Sequence, residues 1–451
     1  MRAGRDGAAA GGGTRPRGAG TFASLAVRDY RCLWIANLAA TFAMQMAQVA
    51  RGWLVYAMTG SAVQLAWVML SFLAPTILFS LPGGVLADRI DKKRILVWAQ
   101  GLNCLSTAGL ALIVYRGDIA FWHFIAFGLF NGSVLALSMP ARQAVIPEIV
   151  GERLIFNAIS LSSASMNLSR VLGPAAAGAL IALLAGGDTG SATGVGIVFF
   201  LIAGLYGLSS AATLFMRHRG RPAATQRPGV LAEVREGLAY IGGSPVLRAL
   251  VVLAFATLLF GMPMQFLMPA FNEDALGGGP DDLGLLMSAM GVGAITGSLA
   301  LARMGEARRK GWLMLAAALA WAVATAWFAH ARDVGAALPL AALTGLFSAG
   351  FMSMNNSLIQ LAVDRHMRGR VMSMVMMIWG LMPLGVVPVS FLAERIGVGP
   401  ALELSAVALA LLTVAAAALL PELRAIDRGY GGDPEAVGRA AAGPERGSAG
   451  G

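Results

Sequence analysis

Long apolar runs alternate with short polar stretches along the chain, from about residue 33 to about residue 420. Each run reaches the roughly 20 residues that an α-helix needs to cross the hydrocarbon core of a bilayer. The apolar residues within a run are consecutive, which favours helices over the alternating strands of a membrane barrel. The pattern predicts twelve spans, at 33–58, 63–87, 95–115, 119–140, 156–184, 194–216, 246–271, 282–303, 311–331, 336–362, 370–396 and 400–420.

The composition agrees with a membrane location. Of the 451 residues, 57% are hydrophobic and only 13% are charged, and the mean hydropathy is +0.69. These values lie far outside the range of soluble domains. Irregular backbone cannot face lipid, so the apolar segments must pack as helices. We therefore predict an all-α polytopic membrane protein.

The distribution of charge predicts an orientation in the membrane. Lysine and arginine concentrate on one side of the predicted spans, whereas the loops on the other side carry only Arg116, Arg332 and Arg395. The positive-inside rule then places both termini in the cytoplasm, in a bacterial-type inner membrane. The membrane explains the net charge of +10 without a nucleic-acid partner.

The polar stretches also predict domain boundaries. Residues 1–26 and 422–451 are rich in Gly, Ala and Arg, which is typical of disordered tails. The longest inner connection, 217–245, divides the spans into two six-helix bundles at 27–216 and 246–421. Two such bundles are the organisation of a transporter with a binding site between its halves.

A charged turn between the second and third predicted spans carries a recognisable motif. Gly84, Leu86, Asp88 and Arg89 match the signature loop of the major facilitator superfamily, although Asp91 replaces its second glycine. The chain resembles that superfamily here, and the resemblance implies its twelve-helix fold. Charge-assisted bonds at this end would hold the outward-facing state, unless these are merely solvated loop charges. The candidate residues of this cytoplasmic latch are Gly84, Asp88, Arg89, Arg94, Arg142 and Arg370.

A second motif lies in the fifth predicted span and contains Arg170, Gly173, Pro174 and Gly178. Proline removes a backbone hydrogen bond and kinks the helix, and the glycines allow a neighbouring helix to approach closely. The motif resembles the Gly-Pro sequence that marks exporters within the superfamily, although ordinary helix packing also uses such glycines.

A narrower resemblance extends over most of residues 22–420. The segments 139–148, 157–158, 170–174 and 368–373 are similar to the transmembrane secretion effector branch, which includes enterobactin exporters and macrolide efflux proteins. The resemblance implies a secondary active transporter that exports a small amphipathic molecule, either a siderophore or a drug, by alternating access. It also implies a proton gradient as the energy source, and Asp88 is the acid nominated to carry the proton.

Polar residues recur every three or four positions in the first predicted span, which places them on one helix face. In the superfamily, helices 1, 4, 7 and 10 line a central cavity. The resulting cavity candidates are Gln45, Gln48, Arg51, Asn131, Gln265, Asn355 and Asn356. Hydrogen bonding between helices is the competing explanation for each of these side chains.

Two arginines, Arg51 and Arg170, lie at membrane depth, and no acidic residue falls within a predicted span core. A buried cation without an anion is costly, which suggests an anionic or mixed-charge amphipathic cargo. Two simpler explanations stay open. Arg51 can extend to the outer interface, and Arg170 can clamp backbone carbonyls.

Other functional classes find less support. No phosphate-binding loop for ATP is present, and the histidines are too scattered for an enzyme active site. No metal site or cofactor is predicted, and Cys32 and Cys104 are expected to be free thiols in a monomer. The alternatives that remain are an uptake carrier, a lipid flippase and, more remotely, a receptor or assembly protein that transports nothing.

Overall fold

The computed structural model describes residues 22–184, 192–220, 230–303, 309–364 and 367–424. Within these ranges the chain forms helices and their connections, without a β-strand, so the predicted all-α fold is confirmed. The helices are α1 Arg28–Thr59, α2 Ala62–Arg89, α3 Lys92–Arg116, α4 Phe121–Leu184, α5 Ala192–Leu214, α6 Val230–Gly243, α7 Pro245–Phe260, α8 Pro263–Asp274, α9 Pro280–Arg303, α10 Lys310–Ala329, α11 Val334–Ala362, α12 Arg368–Trp379, α13 Pro383–Ile396 and α14 Val398–Leu419.

In the part of the chain that the structure describes, ten helical stretches are long and apolar enough to cross a membrane. One of these stretches is α4, whose 64 residues comprise two helices joined at a kink, and each of the two is long enough to cross a bilayer core. The predicted span at 63–87 corresponds to α2, Ala62–Arg89, which is 28 residues long. The count of twelve spans stays a prediction.

The sequence predicts a loop between spans 119–140 and 156–184, and this prediction is wrong. The helix continues through the segment and is interrupted only at Gly151, which has φ 66° and ψ 173°. Val145 and Val150 are buried there in apolar clusters, which stabilises the segment as helix. Glycine is the residue that adopts a positive φ without steric cost. We name the parts before and after Gly151 α4a and α4b.

Two predicted spans are each broken into two helices. The span at 246–271 divides into α7 and α8, and the span at 370–396 divides into α12 and α13. In both cases a proline, Pro263 or Pro383, stands at the start of the second helix. Proline lacks the N–H that would continue the hydrogen-bond ladder, so each helix restarts at this residue.

The predicted tails and the linker lie partly outside the described residues. Residues 1–21 and 425–451 are not described. Ala23–Ala26, which the sequence assigns to the disordered tail, forms a short 3₁₀ helix instead. The reason is that both the backbone N–H and the hydroxyl of Ser24 donate hydrogen bonds to Oδ1 of Asn157. In the predicted linker, residues 230–243 form α6.

The helices pack in two groups, which we name the N half (α1–α5) and the C half (α7–α14). Contacts between the halves run mainly from α4b to α9, from α2 to α13 and from α1 to α8. We name the end of the bundle where α1 begins the tail side and the opposite end the far side. Backbone N–H groups of Arg217 and His218 bind the carboxylate of Asp29, which places these residues together on the tail side.

Candidate functional site

A cavity of about 580 Å³ lies between the N half and the C half. Its walls come from α1, α2 and α4b on one side and from α8, α9, α11 and α12 on the other. Ligand pockets for small molecules are typically about 300–1,000 Å³. Among the described residues that line it, none is an aspartate or a glutamate.

The N-half wall of the cavity carries polar and cationic groups. Gln45, Gln48 and Arg51 are spaced by three residues on α1, so they share one helix face. Arg170 joins them from α4b. The guanidinium carbon of Arg51 lies 5.7 Å from the ring centroid of Phe72, within the range of a cation–π interaction.

The C-half wall is mainly apolar and rich in methionine. Gln265 supplies one amide among these side chains. Thioether side chains are flexible and polarisable, so they adapt to apolar ligands of different shape. The methionines that line this wall are Met262, Met268, Met287, Met290, Met352 and Met382.

On the far side the two halves approach closely along α4b and α9. A Cβ added at Gly178 would lie 3.0 Å from the Cα of Gly284, so only glycine fits at this crossing. One turn further along, the hydroxyl of Ser288 donates a 2.6 Å hydrogen bond to the carbonyl of Val171. Small residues at such crossings allow backbones to pack tightly in membrane proteins.

Polar bonds across the two halves complete the far-side closure. The hydroxyl of Tyr56 donates a 2.5 Å hydrogen bond to Asp274 in the C half. The carboxylate of Glu394 accepts from the hydroxyl of Ser61 and, at 3.1 Å, from the backbone N–H of Val63. Bonds to ionised carboxylates are stronger than those between neutral groups.

The tail side has a different organisation, because its charged groups bind within their own half. In the N half, Nζ of Lys92 lies 2.8 Å from Oε1 of Glu148. In the C-terminal part, Arg370 pairs with Glu236 of α6 at 2.5 Å, and the hydroxyl of Tyr240 donates to Asp364. Each of these tail-side pairs stays on its own side of the division between the halves.

Apolar packing repeats this asymmetry. One far-side cluster contains Tyr56 and Ile181 of the N half together with Phe271 and Leu283 of the C half. The clusters nearer the tail side each belong to one half, as in the group around Leu33. The cavity is therefore closed toward the far side by contacts between the two halves.

Comparison with protein families identifies the chain. The model of a family described as transmembrane secretion effector matches residues 19–431, which is most of the sequence. The chain belongs to the transmembrane secretion effector family. This family is part of the major facilitator superfamily, so the resemblance noted in the sequence is confirmed. The protein is accordingly a membrane-embedded transporter of a small molecule and not an enzyme.

Several named transporters are similar to the chain. The multidrug efflux pump Tap of Mycolicibacterium fortuitum is 27% identical over 84% of this chain and 92% of its own length. Macrolide efflux protein A of Streptococcus pyogenes is 24% identical over 75% of this chain and 83% of its own length. The staphyloferrin A transporter of Staphylococcus aureus is 25% identical over 78% of this chain and 86% of its own length.

Solved structures place the secretion effector chain in the major facilitator fold. The nucleoside transporter NupG superimposes with a TM-score of 0.66 at 14% identity, covering 87% of this chain and 98% of its own. A bacterial homologue of the human lysosomal transporter Spinster, in an inward-facing and unoccupied conformation, superimposes with a TM-score of 0.65 at 15% identity. The match covers 91% of this chain and 96% of the homologue. At such low identity, these matches show the fold alone.

Four of the seven cavity candidates line the cavity of this family member, namely Gln45, Gln48, Arg51 and Gln265. The other three do not. Asn131 instead accepts a 2.7 Å hydrogen bond from Ser106 of α3. Asn355 is 2% exposed, and neither it nor Asn356 is among the lining residues.

The exporter motif lies between the cavity and the far-side crossing. Arg170 and Pro174 line the cavity, and Gly178 makes the close contact with α9. Gly173 faces α1, because a Cβ added there would lie 2.7 Å from the Cβ of Gln45. The motif therefore contacts the cargo space and the closed seam together.

The structure does not bring the six latch candidates together. Within the described residues, Asp88 and Arg89 form no ion pair, and Nε of Arg142 is buried without a hydrogen-bond partner. Arg94 pairs locally with Asp91 at 3.4 Å, and Arg370 pairs with Glu236. Gly84 has no neighbouring atom within 4 Å of an added Cβ, and its neighbour Gly83 is the residue that packs against α4a.

Sequence reasoning missed two groups of residues in this secretion effector. The first comprises the far-side acids Asp274 and Glu394, which the sequence shows only as loop or helix-end charges. The second is the methionine wall, whose members come from α9, α11 and the segments around α8 and α13. The total of 23 methionines was the one available signal.

Proposed function

We propose that this protein is a secondary active transporter that exports a small amphipathic molecule by alternating access. The observation that carries the proposal is the cavity between the two halves, which direct contacts between the halves close on the far side. A carrier that rocks between two such states exposes its site to one compartment at a time.

The proposed orientation has the tail side and both termini in the cytoplasm of a bacterial-type inner membrane. Lysine and arginine concentrate in the loops on the tail side, as cytoplasmic loops of membrane proteins do. In this orientation the described state is inward-facing. Cargo then enters from the cytoplasm, which is the loading step that export requires.

In the proposed switch, the 27–216 and 246–421 bundles rotate against each other. The far-side bonds from Tyr56 to Asp274 and from Ser61 to Glu394 break as the cavity opens outward. On the tail side, Asp88 and Arg89 lie at the end of α2 and Arg142 lies near the end of α4a, where Nε of Arg142 is buried without a hydrogen-bond partner among the described residues. These three residues then form the cytoplasmic latch of the outward-facing state.

We further propose that the transport step is coupled to a proton gradient through the far-side acids. Asp274 and Glu394 accept hydrogen bonds from the opposite half. A protonated carboxyl group is a poorer acceptor, so protonation from the acidic outer compartment weakens the far-side closure. These acids are stronger candidates for the proton than Asp88, which contacts no partner in the described part.

The proposed cargo is a siderophore or a drug-like molecule. The names of the relatives mention multidrug efflux, macrolide efflux and staphyloferrin A, which supports a cargo of this size for the present chain. The cavity is formed by one chain, which supports a monomer as the functional unit. Its only other partner is the lipid bilayer, and no nucleic acid takes part.

The test is accumulation of a panel of fluorescent anionic and cationic amphipaths in an efflux-deficient bacterial host. We compare wild type, Glu394→Gln and Asp88→Asn, each with and without a protonophore. Export predicts lower accumulation with wild type, loss of this effect with the protonophore, and impaired export in both variants. Higher accumulation with wild type would indicate uptake instead. No change for any probe, together with no binding by the purified protein, would support a receptor or assembly role.

A further inference from the structure

The cavity contains two positive charges that the described residues do not neutralise. Arg51 of α1 and Arg170 of α4b both line it, and neither forms an ion pair or a hydrogen bond within the described ranges. Arg51 lies over the face of Phe72, and an aromatic ring does not supply a full negative charge. Unpaired charges at membrane depth are costly and are retained where they serve a function.

The acidic side chains that bridge the two halves do not pair with the cavity arginines. The lining contains no aspartate or glutamate among the residues that are described. The two acids that bridge the halves, Asp274 and Glu394, bind Tyr56 and the Ser61–Val63 turn on the far side. The negative charge that complements the arginines must therefore come from the molecule that fills the cavity.

The opposite wall determines the rest of that molecule. Its methionines, Met262, Met268, Met287, Met290, Met352 and Met382, offer an apolar surface without a fixed shape. Trp379 adds an aromatic face. A ligand that fits both walls therefore has a charged end and an apolar body.

We propose that the cavity binds an anionic amphipath, with its carboxylate, sulfonate or phosphate group between Arg51 and Arg170 and its apolar body against the methionine wall of the C half. The inference rests on the proposed transport function and specifies its substrate class. Guanidinium groups bind such anions through paired N–H donors. The same two charges repel cationic amphipaths, so the site selects by the sign of charge.

The chemistry fits two sources of ligand, a soluble amphipath and an anionic phospholipid. A soluble molecule enters from the aqueous phase on the tail side, whereas a lipid enters sideways from the bilayer. The volume of about 580 Å³ accommodates one drug-sized molecule. The test therefore includes an arm for each source.

The binding test uses two xanthene dyes of similar size, the anion fluorescein and the cation rhodamine 6G. Fluorescence anisotropy measures their binding to the full-length protein in nanodiscs of neutral lipid. We expect fluorescein to bind wild type at least tenfold more tightly than rhodamine 6G. Arg51→Gln and Arg170→Gln should each weaken fluorescein binding about tenfold, as expected for the loss of one charge-assisted contact.

Two kinds of control separate charge recognition from misfolding. The lysine variants Arg51→Lys and Arg170→Lys keep the charge but lose the paired donors, so each should lose less fluorescein affinity than the corresponding glutamine variant. Arg332→Gln removes an exposed arginine far from the cavity and should bind both dyes as wild type does. Fluorescein binding that persists in the double glutamine variant, or tighter binding of rhodamine 6G to wild type, would overturn the proposal.

The lipid arm uses proteoliposomes that contain fluorescent NBD-phosphatidylglycerol, with dithionite quenching as the measure of its transfer between leaflets. Arginine-dependent transfer would identify a lipid as the source, and arginine-dependent fluorescein binding without transfer would identify a soluble anion. Binding that depends on the arginines without any gradient-dependent export would leave this inference standing and refute the proposed function. Export that ignores the arginines would do the reverse.

Discussion

The far side and the tail side of the bundle are stabilised by opposite kinds of contact. On the far side, Gly178, Tyr56 and Glu394 all take part in contacts from one half to the other. On the tail side, Lys92 and Arg370 bind partners on their own side of the division. A contact within a half stabilises that half in every state, whereas a contact between halves stabilises one state only.

The difference teaches which residues set stability and which set the conformational equilibrium. Removing a within-half contact should lower the free energy of unfolding and leave the balance of states unchanged. Removing a between-half contact should shift the balance toward the outward-facing state with little effect on the folding of either half. Each of the following predictions tests this distinction.

The largest expected effect is on stability, from Glu148→Gln. The side chain of Lys92 is only 3% exposed, and its ammonium group pairs with the carboxylate of Glu148. The substitution replaces this carboxylate with a neutral amide. Weakening an ion pair that involves a buried charge lowers the free energy of unfolding. We expect a lower midpoint of thermal unfolding in detergent, measured by the fluorescence of intrinsic tryptophans.

The state balance serves as the control for Glu148→Gln. Spin labels at residues 118 and 332, on far-side loops of the two halves, report the far-side distance after Cys32 and Cys104 are changed to serine. An unchanged distance distribution is expected. A shift toward longer distances would show that this pair acts between the halves after all.

The second effect is steric, from Gly178→Ala at the crossing of α4b and α9. The added methyl group would lie 3.0 Å from the Cα of Gly284 and closer still to the carbonyl of Pro280, so the helices must separate. Overpacking of this kind costs roughly 1–3 kcal/mol. We expect a longer far-side distance and a transport rate reduced about tenfold.

The same substitution at Gly84 is the matched control for Gly178→Ala. No atom lies within 4 Å of a Cβ added at Gly84, so the methyl group should change neither the distance nor the rate measurably. An equal loss of transport in both variants would argue against the seam as the reason for the effect.

The third effect is electrostatic, from Glu394→Gln. The neutral amide is a weaker acceptor for the Ser61 hydroxyl and the Val63 N–H. The substitution should therefore reduce the stabilisation of the far-side closure by about 1.5 kcal/mol. The outward-facing population should rise roughly tenfold in the spin-label measurement.

Glu403→Gln provides the matched control on the same side of the bundle. Glu403 lies 3.7 Å from His330, and both residues belong to the C half. The substitution therefore removes a far-side carboxylate without removing a bond between halves. If it shifted the population as strongly as Glu394→Gln, surface charge in general would be responsible.

The smallest effect is expected from Arg370→Gln. Its pair with Glu236 is half exposed, and surface ion pairs contribute about 0–1 kcal/mol. We expect a midpoint of thermal unfolding close to that of wild type and an unchanged distance distribution. A clear change in transport would instead support the role for Arg370 that the sequence assigned to it in the cytoplasmic latch.

Sequence alone predicts the parts of this molecule that depend on local spacing. Gln45, Gln48 and Arg51 reach the cavity as predicted, because three-residue spacing fixes a helix face wherever the helix is packed. The same reasoning fails by one position at Gly84. Adjacent residues on a helix point about 100° apart, so Gly83 meets α4a and Gly84 does not.

The remaining features depend on tertiary packing that no local pattern encodes. The methionine wall draws residues from several helices, and no spacing in the sequence relates Met262 to Met382. Asn131 has the polarity of a cavity residue, but Ser106 on a neighbouring helix satisfies it. The carboxylate of Glu394 becomes a bridge only because Ser61, 333 residues earlier, lies opposite it.

Gly151 gives the fold a mechanical property. It is the one residue with non-helical torsions between α4a, which packs within the N half, and α4b, which forms the seam with α9. A flexible loop would absorb a displacement of α4b, whereas a single residue offers only two backbone torsions. The two helices therefore move as rigid bodies about the two backbone torsions of Gly151. A displacement of α4b at the contact with α9 is then transmitted to α4a on the tail side.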